Sequence, residues 1–367
     1  MIKTKLSPRQ LVIVSSGFSY GTVALLLPSS ISKAAGPDVW LSILFGTAIG
    51  LLFIWIFAKL GELNPDKTFV EIIQLYFGKL AGGFVAVFFI LSALVVADQT
   101  VWYMSDFVHS AFAYTLSSLS LNVFFIAVLV FALLCGIEAM YRTSEILFIL
   151  IFPFLLFLTI LLMPKMNPGN LLPVMGKGVI PVVKGIIPFL SSCVSPLVFL
   201  NMVYPVCFEN VKEAKKAFFK GYLLGVLTNL LTTTGCVLVM GSGMIANLRF
   251  PMFITSEKID YFVIFSRLEA ATFFMWSSIS FISVFSYAYA GILGLAQLLK
   301  IKNYKILVLP IGLLLTVYSL NIYTNTSYQV NWDATVWPLL SLTLGFVLPI
   351  ALLIPSFIRK HKGKDSS

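Results

Sequence analysis

The sequence predicts an all-α polytopic membrane protein built from ten transmembrane helices in two halves of five. Three observations carry that expectation. The 367 residues are 59% hydrophobic, with a mean hydropathy of +0.97. Charged residues make up 11%, under half of the roughly 25% usual in soluble domains. Apolar runs long enough to cross a bilayer, roughly 20 residues each, recur along the whole length. They are read at 10–32, 39–60, 80–104, 120–140, 145–164, 182–207, 217–241, 270–299, 304–323 and 334–358.

The chain is therefore read as a single integral membrane domain over 1–367, with one repeat at about 10–164 and the other at about 182–358. The first span is too long for a signal-peptide core and is taken as the first transmembrane helix. An even number of spans puts both termini on one side of the membrane. With that side cytoplasmic, 18 of the 25 Lys and Arg fall in inner segments, which is the positive-inside pattern. The net charge of +10 thus reports topology and a lipid bilayer, with no call for nucleic acid. Cys135, Cys193, Cys207 and Cys236 lie in or at the edges of spans without a C-x-x-C pair, which argues against disulfides and zinc. His109, assigned to a loop, and His361, in the tail, offer no metal site. No P-loop, G-x-S-x-G, H-E-x-x-H or dinucleotide fingerprint is present, so neither an enzyme nor a cofactor is expected.

Residues that interrupt helices are unevenly spread. The first span contains "SYGTVALLLPSS" (19–30), and the sixth contains "PFLSSCVSP" (188–196). The span at 145–164, by contrast, is close to uniform hydrocarbon. Spans one and six hold matching places in two halves of five. An odd number of spans per half gives the second half the opposite topology. Interrupted spans at matching places point to a binding site at mid-membrane in an inverted-repeat fold. Unwound backbone is tolerated there only where it lines a cavity or a ligand. Small residues also permit close helix packing; the pairing of the two interruptions favours the ligand reading.

Five further features bear on the reading. Asp98, in "LVVADQTVWYMSDF", is either inside span three or near its outer end. An intramembrane acid is costly and suggests a proton or cation site, whereas Gln99, Thr100 and Tyr103 beside it suggest a wet outer vestibule. Ser280 and Ser283 on span eight are spaced i,i+3 and share a face; they either face the cavity or bond carbonyls one turn back. The stretch 209–220 reads as a short amphipathic helix, and 242–268 as short helices over the outer face. "GSGM" at 241–244 reads as a turn at a helix end.

Several stretches together resemble one family. "LSPRQLVIVSSGFSYGTVALLLPSSISKAAGPDVWLSILFG", "YFGKLAGGF", "GIEAMYRTSEILFILIFP" and "SRLEAATFFMW" occur in the order seen in the B subunits of spore germination nutrient receptors. Those subunits are a branch of the amino acid–polyamine–organocation (APC) transporter superfamily. The resemblance implies a LeuT-like fold of five plus five inverted repeats with helices one and six broken. It implies a mid-membrane pocket for a small nutrient, commonly an amino acid. The pocket would be lined by Gly21, Thr22 and Val23 from helix one and by Ser92, Val96 and Gln99 from helix three. Ser191, Ser192 and Ser195 from helix six and Ser280 and Ser283 from helix eight complete it. Arg267 and Glu269 would form a structural ion pair. Partners would be an A-type membrane subunit and a C-type lipoprotein in the spore inner membrane. Members often carry a Glu in helix six; "SSCVSPLVFLNM" has none, so a ligand amine would meet backbone carbonyls or Asp98. The same pocket would equally serve a proton- or sodium-coupled amino acid transporter, with Asp98 as the coupling group.

Overall fold

The computed structural model describes residues 5–112, 115–259 and 268–364. Arg267 lies outside the described residues, as do the side chains of Thr22, Val23, Glu269 and residues 360–364. Fifteen α-helices are found among the described residues, and their limits follow local chemistry. Helix α1 (Pro8–Tyr20) starts at Ser7, whose hydroxyl and Gln10 form a reciprocal capping box. It is followed by α2 (Leu27–Ala35), closed by Gly36 at φ 62°, a left-handed geometry that favours glycine. Then come α3 (Val39–Leu63), α4 (Phe69–Phe77) behind a Thr68–Glu71 capping box, and α5 (Lys79–Ala111). Helices α6 (Ser118–Cys135) and α7 (Ile137–Leu162) end the first half.

The second half opens with α8 (Val179–Phe189), which runs into a wide turn at Leu190–Val194 and a 3₁₀ segment at Ser195–Met202. Helix α9 (Val211–Met240) follows, then the short α10 (Ser242–Asn247) and α11 (Pro251–Ser256), and the long α12 (Leu268–Leu298). Helices α13 (Lys305–Ser319), α14 (Thr326–Leu342) and α15 (Leu348–Lys364) complete the chain; a wide turn at Thr343–Val347 separates the last two.

Eight helical stretches among the described residues are long and apolar enough to cross a membrane, so the expected count of ten is not reached by that measure. Two expected spans account for the difference. The first is divided into the 13-residue α1 and α2, and α2 continues through a short 3₁₀ turn into α3. The ninth, α13, has 15 residues. Two local expectations are also corrected. Residues 211–220 are not a separate amphipathic helix but the first turns of α9, because Asn210 caps the amides of Lys212 and Glu213 and no breaker follows. His109 lies in the last turn of α5 instead of a loop. The short helices α10 and α11 over one face agree with the reading of 242–268 as far as residue 259.

Both described ends of the chain lie on one face of the bundle. Lys5 pairs with Glu209 there, and Leu6 N–H donates to the Cys207 carbonyl. On the same face Glu62 pairs with Lys215, and Asn64 donates to Ser356 near the end of α15. The opposite face is held by Asp38, which accepts from Met175 N–H at 2.9 Å, and by Ser29 bonded to the Ala246 carbonyl. Helix α7 turns Ile146, Ile149, Leu150 and Ile160 outward, as a lipid-facing helix does. The core lies instead around α1, α5, α12 and the Ser195–Met202 segment, which stack Phe18, Phe89, Phe199 and Tyr287 at ring distances of 4.6–5.4 Å.

Candidate functional site

The first break spans residues 21–26. Gly21 ends α1, its N–H bonding back to the Gly17 carbonyl at 2.6 Å. A helix end leaves its last four carbonyls without intrahelical partners. The Ser19 carbonyl is one of them, and the Asn229 side-chain amide on α9 donates to it at 2.9 Å. Gly21 is needed for space. A Cβ there would sit 2.9 Å from Ser283 Oγ and 3.1 Å from Ile279 Cγ2, both on α12.

The second break follows Pro188, which lies inside α8. A ring nitrogen cannot donate and clashes with the preceding turn, and the chain widens at Leu190–Val194, then tightens to 3₁₀ from Ser195 to Met202. Its freed groups are taken up by α14 and the turn after it. Ser341 Oγ donates to the Ser191 carbonyl at 2.5 Å, and Trp337 Nε1 donates to Ser192 Oγ at 3.2 Å. Gly345 lies so close that a Cβ there would be 2.5 Å from Ser195 Cβ. Ser191 Oγ donates to the Pro188 carbonyl at 3.2 Å.

Helix α12 presents its serines in two ways. Ser278 and Ser286 bond the carbonyls of Phe274 and Ile282 one turn back, the ordinary arrangement for serine in a membrane helix. Ser280 and Ser283 are buried, and their hydroxyls have no partner among the described residues. The same holds for Ser19 Oγ, Ser195 Oγ and both carboxylate oxygens of Asp98. Asp98 sits well inside α5 and is 0% exposed. Buried polar groups are nearly always hydrogen-bonded, and each exception calls for an explanation. Of these exceptions, Ser283 lies against the first break at Gly21, where an unused hydroxyl can hold a small polar molecule by donating to it or accepting from it.

The structure thus brings Gly21 and Ser283 into contact and leaves Ser280 and Ser283 unpartnered. It turns Ser192 and Ser195 toward the last span. Ser92 bonds the Phe88 carbonyl at 2.7 Å, while Val96 and Gln99 are buried on α5. None of these residues lines the cavity of about 40 Å³ that lies between α1, α7, α9 and α12, whose walls are mainly apolar groups such as Ile13, Leu147, Ile151 and Ile279. Toward the opposite face, Tyr103 Oη donates to Asp333 at 2.6–2.7 Å, joining α5 to α14. An ion pair between Asp106 and Arg249 at 2.6 Å joins α5 to the segment before α11. Sequence reading missed Asn229, Tyr287, Trp337 and Ser341. For Asn229 a signal existed: Gly221, Gly225 and Asn229 are spaced by four, a stripe on which a neighbour can pack closely.

Comparison with known proteins gives the fold and family. The chain is similar to Mhp1, a nucleobase-cation-symport-1 family transporter solved in a closed conformation with bromovinylhydantoin bound. The TM-score is 0.69 at 11% identity, over 95% of this chain and 78% of that one. It is also similar to MhsT in complex with L-phenylalanine, with a TM-score of 0.64 at 15% identity, over 98% and 99% of the two chains. The architecture is thus the LeuT-like transporter fold with its first and sixth helices broken. Among curated relatives, spore germination protein KB of Bacillus subtilis (strain 168) is 26% identical over 100% of this chain and 98% of its own length. Spore germination protein YndE of the same strain is 26% identical over 98% and 99%. These relatives are germination proteins and the solved neighbours are transporters, which points to a non-enzyme family. A family model described as spore germination protein matches residues 5–327, and the chain belongs to that family.

Proposed function

We propose that this chain is the nutrient-sensing B subunit of a spore germinant receptor. In this reading a small nutrient, an amino acid first of all, is held at mid-membrane between the first break and α12, and its occupancy triggers germination. The observation that carries the reading is the pair of unpartnered hydroxyls on Ser280 and Ser283, with Ser283 packed on Gly21. A nutrient carboxylate would accept hydrogen bonds from these hydroxyls, and an amine would donate to freed carbonyls or to Asp98. Thr22 and Val23 belong to the same proposed lining, and Ser195, whose hydroxyl has no partner among the described residues, to its second wall, which Ser191 and Ser192 hold in place through Ser341 and Trp337. Sensing requires only that the nutrient bind one state more tightly than another. The chain would sit in the spore inner membrane with the face carrying both termini cytoplasmic. The two repeats, at about 10–164 and 182–358, would move around the fixed site. An A-type membrane subunit and a C-type lipoprotein would receive the change, and no chemistry would be performed on the nutrient.

A second reading, a proton- or sodium-coupled amino acid transporter, is favoured by Asp98, whose buried carboxylate is the kind of group that couples ion movement to transport. Deleting the gene in the spore-forming host separates the two. Germination of purified spores on single amino acids, sugars and nucleosides is scored beside uptake of the same solutes by growing cells. Loss of one nutrient response with uptake unchanged supports the receptor; a specific uptake defect with normal germination supports the carrier.

A further inference from the structure

We propose that Asn229 is a positioning residue that holds the two breaks in one register, so that neither moves without the other. It is 0% exposed, on the face of α9 that packs against α1. Gly221 and Gly225 lie on the same face. A Cβ at Gly221 would fall 2.5 Å from the Val12 carbonyl, and one at Gly225 would fall 2.6 Å from the Ser16 carbonyl. Helix α1 therefore rides directly on this stripe, and Asn229 sits where α1 ends. Its Nδ2 donates to the Ser19 carbonyl at 2.9 Å, at the edge of the first break, and to Cys193 Sγ at 3.6 Å, inside the second.

A primary amide carries two N–H donors on one nitrogen in fixed geometry. Here one serves each break, so a shift of either segment loses a bond or carries the other segment along. A serine or threonine, with one hydroxyl proton, cannot serve both. The inference deepens the proposed reading, in which the two breaks enclose the nutrient: it names the residue through which one wall reports on the other.

Cys193 supplies the readout, because its thiol is 1% exposed and lies in the contact itself. Cys207 and Cys236 are buried elsewhere and report general opening. Maleimide labelling of each thiol is followed by mass spectrometry on the full chain in membranes, without nutrient. Asn229→Asp keeps the shape but replaces the donors with acceptors. It is expected to speed Cys193 labelling about tenfold, which corresponds to about 1.4 kcal/mol, the scale of one buried hydrogen bond. Cys207 and Cys236 should be unchanged. Gly21→Ala forces a shift at the first break, since its Cβ would meet Gly17 O at 2.6 Å. It should speed Cys193 labelling when Asn229 is present and add nothing in the Asn229→Asp chain.

Three outcomes overturn the proposal: unchanged Cys193 labelling in Asn229→Asp, a full additional effect of Gly21→Ala in the double variant, or equal opening of all three buried thiols. The last would assign Asn229 to general stability. Because nutrient is absent, these rates do not depend on whether the chain senses or carries one, and the two proposals fail separately.

Discussion

The two breaks interrupt the membrane-spanning backbone in the same kind of place but resolve their freed groups differently. At the second break, Ser341 and Trp337 bond Ser191 and Ser192, and Gly345 packs against Ser195. At the first break, Asn229 satisfies the Ser19 carbonyl, and the groups facing Gly21 from α12 stay unpartnered. The second break is therefore bound into the protein at Ser191 and Ser192, with Ser195 Oγ left without a partner among the described residues, whereas the first keeps the unpartnered Ser283 hydroxyl directly against it. In the proposed reading, structural polarity and ligand polarity fall on different residues of the same types.

Substitutions at the bound break should cost stability. Gly345→Val would place a Cβ 2.5 Å from Ser195 Cβ and 2.6 Å from its carbonyl oxygen. Overpacking of this kind costs about 1–3 kcal/mol or more, and a fall in the melting temperature of the purified protein in detergent would register it. Gly17→Ala on the first-break side is the matched control. Its nearest neighbour would be an ordinary 3.6 Å contact with Ile279, so the melting temperature should hold or rise slightly.

Ser341→Ala removes the donor to the buried Ser191 carbonyl and should destabilise by about 1–3 kcal/mol, again read from thermal melting. Ser283→Ala should leave melting unchanged, because the hydroxyl it removes has no partner among the described residues. It should instead weaken the nutrient response. If both serine substitutions cost the same stability, the contrast between the breaks is broken.

The smallest effect is expected at the exposed face that carries the termini. Hydrogen bonding to Lys5, together with its charge, holds the Glu209 carboxyl below the usual carboxylate value. A carboxyl with a depressed folded value contributes stability that is present above its unfolded value, near 4.3, and is lost as pH falls through the folded one. Glu209→Gln should therefore alter melting only slightly near neutral pH, less at high salt, and progressively less as the pH falls below the usual carboxylate range. A large salt-independent loss would mean that the pair anchors α1.

Much of this was legible in the sequence, and the remainder was hidden for physical reasons. Gly21, Pro188 and Pro196 mark where helices cannot continue, so both breaks were readable from composition. Long apolar runs and the placement of Lys and Arg gave the spans. The partners of the freed groups were not readable, because they lie far away in sequence: Ser341 is 150 residues from Ser191, and Asn229 is 210 from Ser19. The α12 serines look alike in sequence. Composition does not tell one that bonds its own helix, as Ser278 and Ser286 do, from one without a partner among the described residues, as Ser283 is. The count of ten failed as a length criterion because the broken first span and the 15-residue α13 are each too short to qualify alone.

The most direct test of the central claim compares two sets of spores, one carrying Ser280→Ala with Ser283→Ala and the other carrying Ser192→Ala. Each is assayed for the concentration of the effective nutrient that gives half-maximal germination. The account predicts a rise of about tenfold or more for the α12 pair, the scale of one to two lost hydrogen bonds. It predicts a change within about twofold for Ser192→Ala, whose hydroxyl accepts from Trp337. An unchanged response in the α12 pair, with a large shift for Ser192→Ala at equal protein levels, would contradict it.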